Sequence, residues 1–249
     1  RRTMEAIKRI HHITAIVGDP NENLKFYRDV LGLRLVKQTV NFDDPGVYHL
    51  YFGDEDGNPG TIITFFNWIV DRPGVKGSGQ VGRIAFRIPK GTMGDWQKHL
   101  NDLDIKTQIT QLFDKDTLEF DDVHGLELAL VEGNDDSVNK AIIGFHGAVL
   151  LSSQPEATND LLTNGLGLTP IQTQGQSYHF ETVGSEKHHV ITAIPPNPRG
   201  RFGIGTVHHI AWSVPNLETL KEWQSFIQSQ DLGVTEVRDR NYFKSVYTS

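Results

Sequence analysis

Apolar and polar residues alternate along most of this chain in short runs that are typical of β-strands. Four such runs, at residues 10–17, 82–88, 145–152 and 207–214, open stretches with the same internal pattern. In each stretch a helical apolar stripe follows the first run, and further alternating runs come after it. The pattern predicts an α+β fold in which one strand–helix–strands unit is repeated four times.

The predicted helices have apolar residues three and four positions apart, and they cover residues 23–31, 94–103, 157–162 and 217–227. The remaining predicted strands follow the helices in each unit, at residues 33–41, 47–52, 61–67, 106–113, 117–121, 126–131, 169–174, 178–182, 189–194, 234–238 and 243–247. The fourth unit lacks a last strand by this count, so we expect that strand to lie beyond Ser249.

Composition and charge exclude several classes of function. The chain has 249 residues and a net charge of −7, without a Lys/Arg block, so nucleic acid and anionic membrane are not expected partners. Cysteine is absent, which excludes disulfides and thiolate metal ligands. No apolar run approaches the roughly 18 residues that span a bilayer. A cytoplasmic location is the default expectation.

Two histidine pairs stand at matching places in the outer units. His11-His12-Ile13 opens the first strand of the first unit, and His208-His209-Ile210 opens that of the fourth. When the four first strands are aligned, His12 and His209 share their position with Arg83 and His146. Two imidazoles that are distant in sequence can bind one metal ion if the outer units pack together.

The middle units do not repeat this chemistry. The second unit has Arg83 and Ala129 at the corresponding positions, and the third has only His146. A lone strand histidine is more often a core or surface residue than a ligand, so we interpret both middle units as structural. Strand alternation places His12 and Thr14 on one face, with His11 and His208 on the other unless the strand start is twisted.

The run 12–19 and the helix 26–32 resemble the vicinal oxygen chelate superfamily, which is also called the glyoxalase/bleomycin-resistance/extradiol-dioxygenase superfamily. The resemblance covers essentially the whole chain. It implies four βαβββ modules in two domains, with curled mixed sheets that form cups. We expect the domains to be residues 1–136, with modules 1 and 2, and residues 137–249, with modules 3 and 4.

Within the superfamily, the segments 11–14, 207–210 and 238–245 resemble hydroquinone-type ring-cleaving dioxygenases, including bacterial quinone-resistance dioxygenases. This resemblance implies Fe(II), with Mn(II) as the alternative, held by His12, His209 and a Glu expected beyond Ser249. It also implies four residues near the substrate, which are His11, Thr14, Arg240 and Tyr247. A small dihydroxylated aromatic compound and dioxygen are the expected partners, and self-association into a homo-oligomer stays open.

Two other functions fit the same fold. A glyoxalase-like isomerase or lyase needs a further carboxylate ligand, and the register places Thr64 at that position, where no carboxylate is available. A metal-free protein that binds aromatic compounds, as in bleomycin resistance, needs neither His12 nor His209. The three-ligand dioxygenase site is the interpretation that the residues favour.

Overall fold

The computed structural model describes residues 6–40, 46–67, 72–135 and 139–214, together with the backbone of residues 244–247. Within these ranges the chain forms two curled mixed sheets, with short helices packed against them. The α+β class and the glyoxalase-type fold predicted from the sequence are confirmed.

The strands, numbered in chain order, are β1 (Ile10–Val17), β2 (Arg34–Val40), β3 (Tyr48–Gly53), β4 (Ile62–Asn67), β5 (Val81–Ile88), β6 (Gln108–Leu112), β7 (Lys115–Asp121), β8 (Glu127–Glu132), β9 (Gly144–Leu151), β10 (Thr169–Gln174), β11 (Ser177–Glu181), β12 (His189–Ala193), β13 (Val207–Val214) and β14 (Lys244–Tyr247). The helices are α1 (Pro20–Leu24), α2 (Met93–Asp102) and α3 (Pro155–Asp160). The first and third continue as π-helical turns, Lys25–Val30 and Leu161–Gly165.

The first helix begins earlier than the apolar stripe indicates. Its cap is Asp19, whose side chain accepts hydrogen bonds from the backbone N–H groups of Asn21 and Glu22, and Pro20 fills the first helical position. These residues are polar or lack an N–H, so they start a helix without extending its apolar face. The predicted fourth helix, 217–227, and the predicted strand 234–238 lie outside the described residues.

Each of the two sheets is built from two of the four modules. The outer-module sheet has the order β14-β13-β1-β4-β3-β2 and joins the first and fourth modules. The inner-module sheet has the order β10-β11-β12-β9-β5-β8-β7-β6 and joins the second and third. The first and fourth modules therefore meet, as a histidine site shared between them requires. The division into two domains after residue 136 stays a prediction.

The main core fills the space between the sheets and their helices. Its largest fully buried side chains include Trp212 on β13, Tyr27 on the first π-helical turn and Phe86 on β5. The Tyr27 hydroxyl donates a 2.6 Å hydrogen bond to the Asp122 carboxylate, which ties the first module to the second. Burial, followed by the nearby Asp122 charge, raises the pKa of Tyr27 well above its usual value. The tyrosine therefore stays protonated and remains a donor.

Among the described residues, none of the helices has both the length and the apolar character needed to cross a bilayer.

Candidate metal centre

The central pairing of the outer-module sheet contains two β-bulges. β1 and β13 are antiparallel, and the pairing passes from Ile10 with Trp212 directly to His12 with Ala211. His11 is therefore an extra residue on β1. At the other end the pairing passes from Thr14 with His209 to Ala15 with Val207, so that His208 is the extra residue on β13. A bulge of this kind bends the strand and redirects a side chain.

The bulges place each pair of adjacent histidines side by side. The Nδ1 atoms of His11 and His12 are 2.8 Å apart, and those of His208 and His209 are 2.9 Å apart. The alternation rule, which sends neighbouring side chains to opposite faces, is therefore wrong for both pairs. The physical reason is the extra residue, which interrupts the two-residue period of the strand.

The two histidines predicted as metal ligands lie next to each other. The ring centres of His12 and His209 are 5.5 Å apart, with an 80° angle between the ring planes. Imidazole rings this close together are within reach of one metal ion, since each metal–nitrogen bond is about 2.1 Å long. Since Nδ1 of each ring contacts its neighbour, Nε2 is the atom that would face the metal. The Nε2 atom of His209 is buried.

The described part of the chain contains two of the predicted ligands of this centre, His12 and His209. Within it, no group of three or more His, Cys, Asp or Glu side chains is arranged to hold a metal ion. The donor set that is present, two imidazoles, suits iron, manganese or another first-row transition metal. The carboxylate expected beyond Ser249 stays a prediction.

A pair of threonines stands beside the histidines. β1 and β4 are parallel, with Thr14 opposite Thr64, and their hydroxyl oxygens are 2.7 Å apart. Both side chains are buried. Thr14 is also the register partner of His209, so the three residues form one row across three strands. No carboxylate is present at the position that a glyoxalase-like fourth ligand would use.

His11 is half-buried at the edge of this row. Burial lowers the pKa of His11, and the nearby positive charge of Arg9 lowers it further. The imidazole is therefore neutral at pH 7. A neutral imidazole can accept a proton from a bound hydroxyl group, which is the role that the family resemblance implies.

An aromatic surface continues from the histidines, and sequence reasoning missed it. The ring of His208 lies 5.3 Å from Phe66 and 5.2 Å from Phe202, centre to centre. Phe66 in turn stacks on His49 at 5.6 Å. The sequence pattern that could have predicted it is the alternation along β4, which puts Phe66 on the same face as Thr64. Such a surface suits the flat face of an aromatic ring.

Two further predicted site residues lie wholly or partly outside the described part of the chain. Arg240 lies outside the described residues. Tyr247 ends β14, and its backbone is the register partner of Val214 on β13, but its side chain lies outside the described part. Their predicted contacts with the substrate stay predictions.

Comparison with known proteins defines the class. The sequence model of the Glyoxalase/Bleomycin resistance protein/Dioxygenase superfamily matches residues 9–106 and 144–249. The chain belongs to this superfamily.

Within the superfamily, the chain is similar to proteins named as ring-cleaving dioxygenases. It is 50% identical over 248 residues to the "Putative ring-cleaving dioxygenase MhqO" of Bacillus subtilis, covering 96% of this chain and 80% of that protein. It is 30% identical to the "Chlorohydroquinone/hydroquinone 1,2-dioxygenase" of Sphingobium indicum, covering 98% and 82%. A crystal structure of a "putative dioxygenase" from Bacillus subtilis superimposes with a TM-score of 0.85 at 48% identity, covering 96% and 80%.

Proposed function

We propose that this protein is a ring-cleaving dioxygenase that acts on a hydroquinone or a related dihydroxylated aromatic compound. Fe(II), with Mn(II) as the alternative, would be held by His12, His209 and the Glu expected beyond Ser249. The observation that supports the proposal is the 5.5 Å approach of the His12 and His209 rings beside a threonine pair. Two imidazoles and one carboxylate leave coordination positions open for a substrate and for dioxygen.

The surrounding residues have chemistry that suits this reaction. When bound, the metal ion supplies a Lewis acid that lowers the pKa of a ring hydroxyl. The neutral imidazole of His11 would accept the proton that the hydroxyl releases. The Thr14 hydroxyl would donate a hydrogen bond to an oxygen in the same row, while the rings of Phe66 and His208 would hold the aromatic ring by contact. Arg240 and Tyr247 would hold the substrate anion and a reacting oxygen.

The glyoxalase-like alternative is disfavoured by one contact. It requires a fourth protein ligand from β4, and the residue at that position is Thr64, whose hydroxyl instead contacts Thr14. A threonine hydroxyl is a weak metal ligand compared with a carboxylate. The open three-ligand centre therefore fits the geometry better.

The proposal is tested by metal content and oxygen uptake in the full-length protein. Iron-loaded protein should consume dioxygen with hydroquinone, and less with catechol. His209→Ala should lose bound iron and lower the rate by more than about 100-fold, because a side chain that binds the metal directly matters at least as much as the groups that orient it. His146→Ala is the matched control, since His146 is also a buried strand histidine at a bulge but belongs to the inner-module sheet.

The outcomes separate the alternatives. Unchanged iron content in His209→Ala would show that the centre is elsewhere. Hydroquinone binding without iron and without oxygen uptake in the unmodified protein would point to a metal-free binding protein. Turnover of a thiol conjugate without oxygen uptake would point to an isomerase or lyase.

A further inference from the structure

A cavity lies at the seam between the two sheets, next to the first bulge. Its volume is about 510 Å³. Gly60 marks the seam, because its N–H donates to the His11 carbonyl oxygen while its own carbonyl accepts from the N–H of Phe145, both at 2.9 Å. Gly60 lies in the loop between β3 and β4, so the first contact joins this loop to β1 of the outer-module sheet, and the second reaches β9 of the inner-module sheet. The cavity thus has walls from both sheets.

Positive charge dominates the wall of this cavity. It contains the exposed Lys8 and Arg9 and the partly buried Arg87, against one carboxylate, that of the exposed Glu186. Among the described residues, Lys8 and Arg9 have no ion-pair partner and no side-chain hydrogen bond. Arg87 donates from Nε to His146 Nδ1 at 3.2 Å and from Nη2 to the Lys187 carbonyl oxygen. Its Nη1 has no acceptor within the described part of the chain.

A neutral donor is fixed in the same wall. His188 is 3% exposed, and its Nδ1 accepts a 2.8 Å hydrogen bond from the Ile10 N–H. Burial, followed by the charges of Arg87, His189 and Arg9, lowers the pKa of His188 to about 3. The ring is therefore neutral, and its single proton is on Nε2. That atom lies on the Gly60 side, where a Cβ added to Gly60 would be 3.7 Å from it.

A second neutral donor has no partner. Ser213 also lines the cavity, the residue is 7% exposed, and its hydroxyl is buried without a hydrogen-bond partner among the described residues. Buried polar groups are nearly always paired, so an unpaired hydroxyl in a charged cavity needs an explanation. An acceptor atom from a bound molecule would provide one.

We propose that this seam cavity binds a small oxyanion, with a phosphate or carboxylate group held between Arg9 and Arg87. His188 Nε2–H and the Ser213 hydroxyl would donate to its oxygens, and Lys8 would add charge at the rim. Cations together with neutral donors favour an anion with several acceptor oxygens and disfavour a metal ion or an apolar ligand. The volume suits a small molecule. This site is separate from the proposed metal centre and does not depend on it.

The test is calorimetric titration with inorganic phosphate and with malonate, at constant ionic strength maintained with chloride. We expect saturable binding of at least one of these anions. Lys8→Gln/Arg9→Gln should weaken binding by roughly tenfold or more, because charge-assisted hydrogen bonds are lost. Ser213→Ala should also weaken it, with no change in charge. The matched control is Lys25→Gln/Lys90→Gln, which makes the same charge change at exposed positions away from the cavity.

The titration measures anion binding and requires neither bound metal nor turnover. A failure of the anion-site proposal would therefore leave the dioxygenase proposal unaffected. Binding of phosphate alone or of malonate alone would support the site and identify the anionic group. No saturable heat with either anion would overturn the proposal. Equal weakening in the cavity variant and in the control variant would also overturn it, because that result indicates general charge attraction.

Discussion

The outer-module and inner-module sheets share one pairing pattern and differ in the residues placed on it. In the inner-module sheet, Val81 pairs with Leu150 and Arg83 with Val149, so Gly82 is the extra residue as His11 is on β1. Farther along, Ala85 pairs with Gly147 and Phe86 with Phe145. His146 is thus the extra residue on β9, as His208 is on β13.

This register corrects the alignment of the third module. Counting back five residues from the last apolar position of each strand places His146 with His209, but the pairing places Gly147 there and His146 with His208. The ends of equivalent strands vary from module to module, so they are a poor basis for alignment. The residue opposite a given partner in the sheet determines where a side chain can reach, so the pairing is the better basis. The inner-module equivalents of the two predicted ligands are therefore Arg83 and Gly147.

The inner-module sheet uses these positions for structure. Arg83 forms ion pairs with Glu119 and Glu127, each at 3.3 Å. A Cβ on Gly147 would collide with the carbonyl oxygen of His189 and would lie 3.1 Å from the ring of Phe113. Phe113 is buried against the edges of three histidine rings, those of His146, His179 and His189. One pairing pattern thus supports a candidate reaction site in one sheet and a filled interior in the other.

The largest effect in this comparison is expected from Phe113→Ala. Removing the ring should lower the free energy of unfolding by about 4 kcal/mol, because a large buried side chain leaves a cavity behind. Metal content per folded molecule should stay unchanged. The measurements are urea denaturation and iron analysis. Loss of iron from a Phe113→Ala protein that is still folded would contradict the view that the inner-module sheet is structural and only the outer-module sheet carries the metal centre.

A somewhat smaller effect is expected from Gly147→Ala. The added methyl group meets backbone rather than a flexible side chain, so β9 or β12 must shift, at a cost of about 3 kcal/mol. Gly94→Ala is the matched control, because nothing lies within 4 Å of a Cβ at that helical position. Thermal denaturation of both variants gives the comparison, and an undisturbed Gly147→Ala protein would contradict the register correction.

The smallest effect concerns pH and the histidines of the inner-module sheet. Burial first, then His179 and Arg87, lowers the pKa of His189 to about 4, while the pKa of His188 is about 3. Between pH 6.5 and about 4 the unfolded chain therefore binds protons that the folded chain does not. The free energy of unfolding should fall with falling pH, by about 1.4 kcal/mol per pH unit for each such histidine.

His189→Gln should remove one of these contributions and make the fall less steep. Urea denaturation at pH 7 and at pH 5 measures the slope. A slope that is the same in the variant and in the unmodified protein would show that His189 is exposed to solvent, and that the interior of the inner-module sheet is more open than the contacts around Phe113 indicate.

Local patterns predicted the elements well where the pattern is strong. β1 and β13 have the predicted bounds, and the second helix differs from its prediction by one residue at each end. The first helix starts earlier because capping by Asp19 depends on a side-chain hydrogen bond rather than on apolar spacing. The aromatic surface with Phe66 was missed because its members come from different strands and, in Phe202, from a loop.

The sequence by itself determined the repeated unit, the strands that carry the two histidine pairs and the absence of a carboxylate at Thr64, since each follows from local periodicity and residue type. Tertiary structure alone decided that the first module pairs with the fourth, that bulges put His11 beside His12, and that Gly147 stands where a ligand would be. The first two features depend on pairing between strands about 200 residues apart in the outer-module sheet, and the third on the pairing of β5 with β9 in the inner-module sheet. No local pattern encodes the register of such pairings.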